Sequence, residues 1–286
     1  RIRANSIELQ GGVRGLPDNP HLNLNAVSHG LNLSGVALGQ VEMHAKGPPS
    51  GYHTVLRNLP SASPHFNIDG QTQYRNGAWL FSSTHLSVNP GSGPWTGQLG
   101  DLRYHPEQGF DAGFSFLRRG EQNITTDGFR FRSRGPDRFN LRVRNLDLSE
   151  WASHLEQPEL SGHMGLDFAL EGDLARPRLR LNAQVRALRL VRMQDLNGSL
   201  ALDYDGAHLH SNASLRIGRS GRFRMEGELA LSSRHIWQPS SWLQTAHSTT
   251  LQLAASHLPI APLLRAVQDE PNVTPISGIA SFQASL

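Results

Sequence analysis

Cysteine is absent from the 286-residue sequence. Its absence excludes disulfide bonds, thiolate metal sites and cysteine nucleophiles, and it is compatible with an oxidising compartment. Long hydrophobic runs are also missing, because no stretch approaches the roughly 18 consecutive apolar residues of a membrane-spanning helix. The chain begins at Arg1 without a Met or an apolar signal-like region. We therefore expect an internal fragment, or a membrane anchor that lies outside this chain.

The sequence has little excess charge of either sign, and its fraction of apolar residues is low. The 27 basic and 24 acidic residues give a net charge of only +3, and hydrophobic residues make up 37% of the chain. Such a small excess of positive charge does not by itself indicate a nucleic-acid partner. The apolar fraction is low for a domain with a thick, fully enclosed interior, so a thin or one-sided structure fits the composition better.

Alternation of apolar and polar residues is the dominant pattern of the sequence. Across residues 179–185 the odd positions are apolar and the even positions are polar or charged. A period of two places the two sets on opposite faces of a β-strand. The pattern recurs along most of the chain, with turn residues such as Asp205 and Gly206 between the segments. The sequence therefore predicts an all-β fold, a meander of antiparallel strands with one apolar face and few short helices.

Twelve residues in the second half of the chain are predicted to line this apolar face. They share the parity that the alternation assigns to the side facing away from water. The predicted lining residues are Leu179, Leu181, Val185, Leu200, Leu202, Leu209, Leu215, Ile217, Phe223, Met225, Leu229 and Leu231. An ordinary closed β-sandwich or barrel core is the alternative explanation for the same stripe.

Two short segments, residues 149–155 and 260–268, have the apolar spacing of a helix. Each follows a predicted strand and precedes a similar ending, because Leu-Ser-Gly at 160–162 matches Ile-Ser-Gly at 276–278. Self-similarity at this distance predicts tandem multi-strand units stacked along one axis, as in other repeat proteins. We place the first unit or units at residues 1–140, a second unit at 141–257 and the start of a further unit at 258–286, and expect a long molecule rather than a round one.

Residues that support catalysis or metal binding elsewhere occur here without the partners that such sites need. His208 and His210 share a strand face, but no third zinc ligand lies at useful spacing. Residues 203–206 begin like a calcium-binding loop but lack the later oxygen ligands and the closing Glu. A Gly-x-Ser-x-Gly nucleophile motif is absent. We predict no enzymatic activity, no catalytic residue, no metal and no cofactor.

Phenylalanine and arginine alternate in residues 128–144, a pattern that can stack bases and contact phosphates in nucleic-acid-binding proteins. A strand with one apolar and one charged face produces the same alternation in an arginine-rich protein. We favour the second explanation and predict no nucleic-acid partner.

A set of degenerate strand motifs resembles the TamB family, the inner-membrane-anchored subunit of the bacterial translocation and assembly module, within the wider AsmA-like group. The family carries a Leu-x-Gly strand, a short spacer and then Gly-x-Leu-x-x-Pro. These motifs stand here at residues 160–162 and at Gly172, Leu174 and Pro177. An upstream segment that is similar to the one preceding this unit in the family contains His44, Trp95, Gly97 and Leu99. The resemblance spans about residues 35–286.

The resemblance implies an elongated, U-shaped (β-taco-like) sheet with an apolar groove, located in the periplasm as part of an inner-membrane-anchored envelope protein. The implied role is bridge-like transfer of phospholipid between the inner and outer membranes, with assistance to outer-membrane protein assembly. Phospholipid acyl chains would then lie on the twelve lining residues. Two further partners are implied through regions outside this chain: an outer-membrane barrel partner of the TamA type, and the inner membrane through an N-terminal anchor.

Two other classes of function stay open at the level of sequence. An outer-membrane β-barrel also alternates apolar and polar residues, but it has aromatic girdles that the spacing of the five tryptophans does not match. A secreted β-solenoid acting on carbohydrate is the other class, and it would have clustered carboxylates and exposed aromatic side chains on one concave face.

Overall fold

The structure, a computed structural model, describes residues 2–15, 21–33, 36–48, 50–59, 64–132, 137–152, 159–173, 176–190, 193–237, 242, 248–259 and 279–285. The chain divides into two compact units, Arg1–Arg134 and Gly135–Leu286. Most described residues of both units lie in antiparallel strands, which confirms the predicted all-β meander. None of the helices within these described ranges is long and apolar enough to cross a membrane.

Strands β1 to β13 form the first unit. Their bounds are β1 Ile2–Arg3, β2 Ser6–Arg14, β3 His21–Leu33, β4 Val36–Gly47, β5 Tyr52–Asn58, β6 His65–Arg75, β7 Ala78–Asn89, β8 Trp95–Gln98, β9 Leu102–His105, β10 Gly109–Ala112, β11 Ser115–Arg119, β12 Gln122–Thr126 and β13 Phe129–Arg132. Strands β3 to β7 pair in chain order. The sheet then branches, because β7 pairs with β8, which continues to β11 and β12, and also with β9, which continues to β10 and β13.

A buried polar side chain holds the connection between β5 and β6. Asn58 is fully buried, and its Oδ1 accepts a hydrogen bond from the Phe66 backbone N–H at 2.7 Å. Its Nδ2 donates to the Pro64 carbonyl at 2.8 Å. A buried amide is tolerated only when its donors and acceptors are paired, so Asn58 specifies this turn as well as stabilising it.

Strands β14 to β21 form the second unit as a simple meander in which each strand pairs with the next. Their bounds are β14 Asp137–Asp147, β15 Ser161–Asp173, β16 Arg176–Leu190, β17 Met193–Tyr204, β18 His208–Ile217, β19 Gly221–Ala230, β20 Thr249–Pro259 and β21 Ile279–Ser285. All seven pairings are antiparallel.

The first predicted helical segment begins as a single 3-10 turn, Leu148–Glu150. Asp147 caps this turn, because its side chain accepts a hydrogen bond from the Ser149 backbone N–H at 2.9 Å. Residues 153–155, the whole segment 260–268, the repeat motif at 276–278 and the motif residue Leu174 lie outside the described residues. The three-unit repeat therefore stays a prediction.

The turn between β17 and β18 is the hairpin that Asp205 and Gly206 predict. The Asp205 carboxylate accepts backbone hydrogen bonds from Ala207 and His208, both at 2.8 Å. Gly206 has a φ of 108°, a conformation that residues with a Cβ rarely adopt. These two residues together set the register with which β18 returns along β17.

This turn makes stability depend on pH at acidic values. The backbone N–H groups of His208 and Ala207 lower the pKa of the Asp205 carboxyl below its ordinary value. Because the folded-state pKa is depressed, the stabilisation is present above the unfolded-state pKa and is lost as pH falls through the folded-state value. We expect Asp205→Ala to lower the free energy of unfolding by about 0.5–1 kcal/mol at neutral pH, as exposed hydrogen bonds typically contribute.

Urea unfolding of the wild-type protein and of Asp205→Ala, followed from neutral to strongly acidic pH, measures this difference. The two free energies should converge as the wild-type carboxyl becomes protonated. A difference that stays constant over the whole pH range would contradict the role assigned to the carboxylate.

Candidate functional site

Side-chain exposure alternates residue by residue along the strands of the second unit. On β18 the exposed residues His210, Asn212 and Ser214 alternate with half-buried ones, Ser211, Ala213 and Leu215. The strands β16, β17, β19 and β20 repeat this alternation over most of their length. The sheet therefore has two different surfaces, a polar face and an apolar face, with the parity that the sequence predicts.

All twelve predicted lining residues lie on the apolar side. Four of them are buried: Leu209, Ile217, Leu229 and Leu231. The other eight are half-buried: Leu179, Leu181, Val185, Leu200, Leu202, Leu215, Phe223 and Met225.

Strand register aligns seven of these twelve side chains, together with residues of the neighbouring strands, in three rows that cross the sheet. The first row contains Leu141, Phe168, Leu181, Leu202, Ser211, Gly227 and Leu251; the middle row contains Val143, Leu166, Ala183, Leu200, Ala213, Met225 and Leu253; the last row contains Met164, Val185, Gly198, Leu215, Phe223 and Ala255. We call these three rows the apolar rows. Apart from the Ser211 hydroxyl, no side chain in the apolar rows carries a hydrogen-bonding oxygen or nitrogen.

A cluster of buried side chains borders the first row. It consists of Tyr204, Leu209, Leu229, Leu231 and Ile236, against which Leu179, Leu202 and Trp242 pack. The Tyr204 hydroxyl donates a hydrogen bond to the Leu231 carbonyl at 3.0 Å. Burial, together with the neighbouring Asp205 carboxylate, raises the pKa of Tyr204, so the hydroxyl keeps the proton that this bond requires. The cluster therefore closes one side of the apolar rows.

A second cluster, on the opposite side, includes part of the last row. Leu196, Ile217 and Ala255 are buried there, and Leu188, Leu215 and Phe223 pack against them. One packed cluster therefore lies at each side of the apolar rows.

Between the two clusters the apolar surface is not fully covered. Leu181, Leu200 and Met225 are each half-buried, although they face the same side as the buried Leu209 and Leu229. Side chains on the inner face of a closed sandwich core are buried against a second sheet. The partial exposure of the rows favours an accessible apolar surface over a closed core.

The sequence prediction missed several members of the rows and included residues that belong to their border. Leu166, Phe168 and Leu253 were not in the predicted set, although they follow the same period of two in their own strands. Five residues of the predicted set lie outside the rows, in or against the two clusters that border them: Leu179, Leu209, Ile217, Leu229 and Leu231.

The polar face carries exposed ion pairs between neighbouring strands. Arg180 on β16 pairs with Asp203 on β17 at 3.2 Å, and Arg144 on β14 pairs with Asp167 on β15 at 2.9 Å. Exposed pairs of this kind contribute at most about 1 kcal/mol each, but they keep this side of a thin sheet hydrated. The polar face is therefore suited to water and charged groups, and the apolar face to an apolar ligand.

The histidines considered as metal ligands lie on the polar face. His208 Nδ1 is 3.8 Å from an Asp205 carboxylate oxygen, and His210 Nδ1 is 3.8 Å from a carboxylate oxygen of Glu228. Within the part of the chain that the structure describes, no group of three or more His, Asp or Glu side chains is arranged to hold a metal ion. The absence of a metal and of enzymatic activity stays a prediction.

Comparison with known proteins identifies no relative: no family model matches this chain, and neither a curated protein nor a solved structure does so.

Proposed function

We propose that the apolar rows of the second unit bind phospholipid acyl chains, and that the chain is a periplasmic segment of a bridge-like protein that carries phospholipid between the inner and outer membranes. The observation that carries this proposal is the half-buried apolar side chains of the rows, with Leu200 near their centre. The motifs that resemble the TamB family support the transport role, and with it assistance to outer-membrane protein assembly.

The dimensions of the apolar rows fit a fatty acyl chain. Neighbouring strands lie about 4.8 Å apart, so the half-buried part of the middle row, five strand intervals from Leu166 to Leu253, extends about 24 Å. One leaflet of acyl chains occupies roughly half of a hydrocarbon core about 30 Å thick, which is about 15 Å. A single row is therefore long enough for a whole acyl chain.

The chemistry of the rows also favours hydrocarbon over a polar ligand. The one hydroxyl in them, Ser211 Oγ, already donates to the Gly227 carbonyl at 3.3 Å. The rows otherwise consist of Leu, Ala, Val, Met, Phe and Gly. Their apolar side chains make dispersion contacts and exclude water, and these interactions do not require a particular orientation of the ligand. A ligand that slides along the rows therefore does not have to break a specific hydrogen bond at each step.

The energetic reason for such a surface is the cost of exposing lipid to water. Each methylene group transferred into water costs about 0.8 kcal/mol, so a chain of about sixteen carbons would face a penalty on the order of 12 kcal/mol. A continuous apolar strip removes most of this penalty, while the charged opposite face keeps the sheet hydrated.

Native mass spectrometry of the protein, purified without detergent, tests the proposal. We expect adducts with the masses of phospholipids, which disappear after organic extraction and return when the protein is incubated with phosphatidylethanolamine vesicles. The absence of any lipid adduct before extraction and after incubation would overturn it.

A further inference from the structure

Three arginines face one another on the polar face of the second unit. Arg216 lies on β18 directly opposite Arg222 on β19, and Arg224 lies two residues further along β19, opposite Ser214. All three side chains are exposed. Side chains directly opposite in an antiparallel pair have Cβ atoms about 4.5–5.5 Å apart, and like charges at this distance destabilise the sheet. The fold therefore maintains an arrangement that costs stability in the absence of a counter-charge.

Among the described residues, no carboxylate is within ion-pair distance of Arg216, Arg222 or Arg224. This distinguishes them from Arg180, which pairs with Asp203 at 3.2 Å on the same face. It also distinguishes them from Arg142, which pairs with Asp167 at 3.2 Å. An aspartate of a neighbouring strand neutralises Arg142, Arg144 and Arg180, whereas no described carboxylate neutralises the three arginines that lie together here.

A concave region of about 590 Å³ surrounds the three arginines. Its polar lining, besides Arg216, Arg222 and Arg224, comprises Asn197, Asn212, Ser214 and Ser256. Its described lining contains no Asp or Glu. We call this region the arginine cavity. Its volume falls in the range of sites for small molecules, and its polar groups can donate hydrogen bonds to an anion.

We infer that the arginine cavity binds a phosphate-bearing polar ligand. A guanidinium presents paired N–H donors that match two oxygens of a phosphate, and a bound phosphate would offset the repulsion between Arg216 and Arg222. Asn197 and Ser214 are already bonded within the sheet, and the side chains of Asn212 and Ser256 add hydrogen-bonding groups for the hydroxyl or carbonyl groups beside such a phosphate. The ligand is a soluble phosphorylated compound or the headgroup of an anionic phospholipid, which share this chemistry.

The arginines of this site lie on the opposite face of the sheet from the surface proposed for acyl chains, although the cavity lining also includes Leu215, Phe223 and Ala255 of the last apolar row. Arg216 and Arg222 have the opposite parity to Leu215 and Phe223, which belong to the apolar rows. Substitutions of Arg216 and Arg222 change only side chains of the polar face, so their effect on phosphate binding tests this inference apart from the proposed lipid conduit.

The decisive variant is Arg216→Gln/Arg222→Gln, and the probe is inorganic pyrophosphate, with binding measured by titration calorimetry at constant ionic strength. We expect the double variant to bind at least about tenfold more weakly than the wild type, as expected for lost hydrogen bonds to a charged group. The matched control is Arg138→Gln/Arg178→Gln, which removes the same charge from exposed positions of the same face, each opposite Glu171. The control should bind like the wild type.

A second variant separates specific recognition from charge alone. Arg222→Lys keeps the positive charge but loses the planar pair of donors. We expect it to bind pyrophosphate several-fold more weakly than the wild type, with an unchanged circular dichroism spectrum. The double Gln variant should unfold at the wild-type temperature or above it, because a repulsion has been removed.

Sedimentation with phosphatidylglycerol vesicles, compared with phosphatidylcholine vesicles, distinguishes the two sources of phosphate. Pyrophosphate binding that is lost in the double variant supports a soluble ligand. Selective binding to phosphatidylglycerol that is lost in the double variant, without pyrophosphate binding, supports a lipid headgroup. Equal binding by the double variant and its control, or no binding of either probe by the wild type, overturns the inference.

Discussion

Replacing Val185 with Glu is expected to weaken phospholipid binding by about 100-fold, whereas replacing the adjacent Gln184 with Glu should leave it nearly unchanged. Val185 is half-buried in the last apolar row, between Met164 and Gly198 on the neighbouring strands. Gln184 is exposed on the polar face. The two variants add the same carboxylate at consecutive positions, so they differ only in the face that receives it.

The size of the effect follows from desolvation. An acyl chain that lies across the carboxylate introduced at position 185 must remove water from it, which costs several kcal/mol unless a partner compensates. About 2.8 kcal/mol is already sufficient for a 100-fold loss of affinity. At position 184 the carboxylate stays in water and takes the place of an amide of the same shape.

Binding of a fluorescent phospholipid to the purified variants measures the difference, after circular dichroism has established that both are folded. A photo-crosslinking residue at position 185 should capture phospholipid, and one at position 184 should capture little. Under the proposed transport role, Val185→Glu should also compromise the outer-membrane barrier of cells that carry it, and Gln184→Glu should not. Equal lipid capture at the two positions, or undiminished binding by a folded Val185→Glu protein, would contradict the proposed surface.

Truncating Leu209 to Ala should cost about 2–5 kcal/mol of unfolding free energy, the usual cost of a cavity in a packed core. Leu209 is only 2% exposed, in the cluster with Tyr204, Leu229, Leu231 and Ile236. The same truncation at Leu181, in the first row, should cost roughly 1–2 kcal/mol, because part of that side chain is already in contact with water. Its larger effect should be on lipid affinity.

Urea unfolding of lipid-free protein and lipid titration of the folded variants separate these two outcomes. Leu209→Ala should lose the larger amount of stability and retain the lipid affinity of its folded fraction, whereas Leu181→Ala should lose less stability and bind lipid more weakly. Equal and large destabilisation by both substitutions would mean that the rows are the interior of a closed core.

The parity of the strands could be predicted because it depends on local geometry alone. Successive residues of a strand point to opposite faces wherever the strand lies, so alternation across residues 179–185 is sufficient to assign Leu181 and Arg180 to different sides. The hairpin at Asp205 and Gly206 is equally local, because a short carboxylate accepts nearby backbone N–H groups and glycine adopts the positive φ. The all-β meander follows from repeating these two local rules.

The degree of burial could not be predicted, because it depends on what covers each position. Leu209 and Leu181 carry the same signal in the sequence, an apolar residue between polar neighbours, but only Leu209 is fully buried. Residues beyond β19, Ile236 and Trp242, pack onto the Leu209 cluster. Such a contact joins parts of the chain more than twenty residues apart, and no local period encodes it.

The sequence by itself determined which residues of each strand lie on opposite faces of the sheet. The tertiary structure decided which residues of neighbouring strands lie opposite one another. Nothing in the sequence separates Arg216, Arg222 and Arg224 from the many other arginines of the chain. They converge because the turn at residues 218–220 pairs Ile217 with Gly221, and this register places Arg216 opposite Arg222. Register is a relation between two strands, so a shift of one residue would turn these side chains toward other partners while leaving the alternation within each strand unchanged.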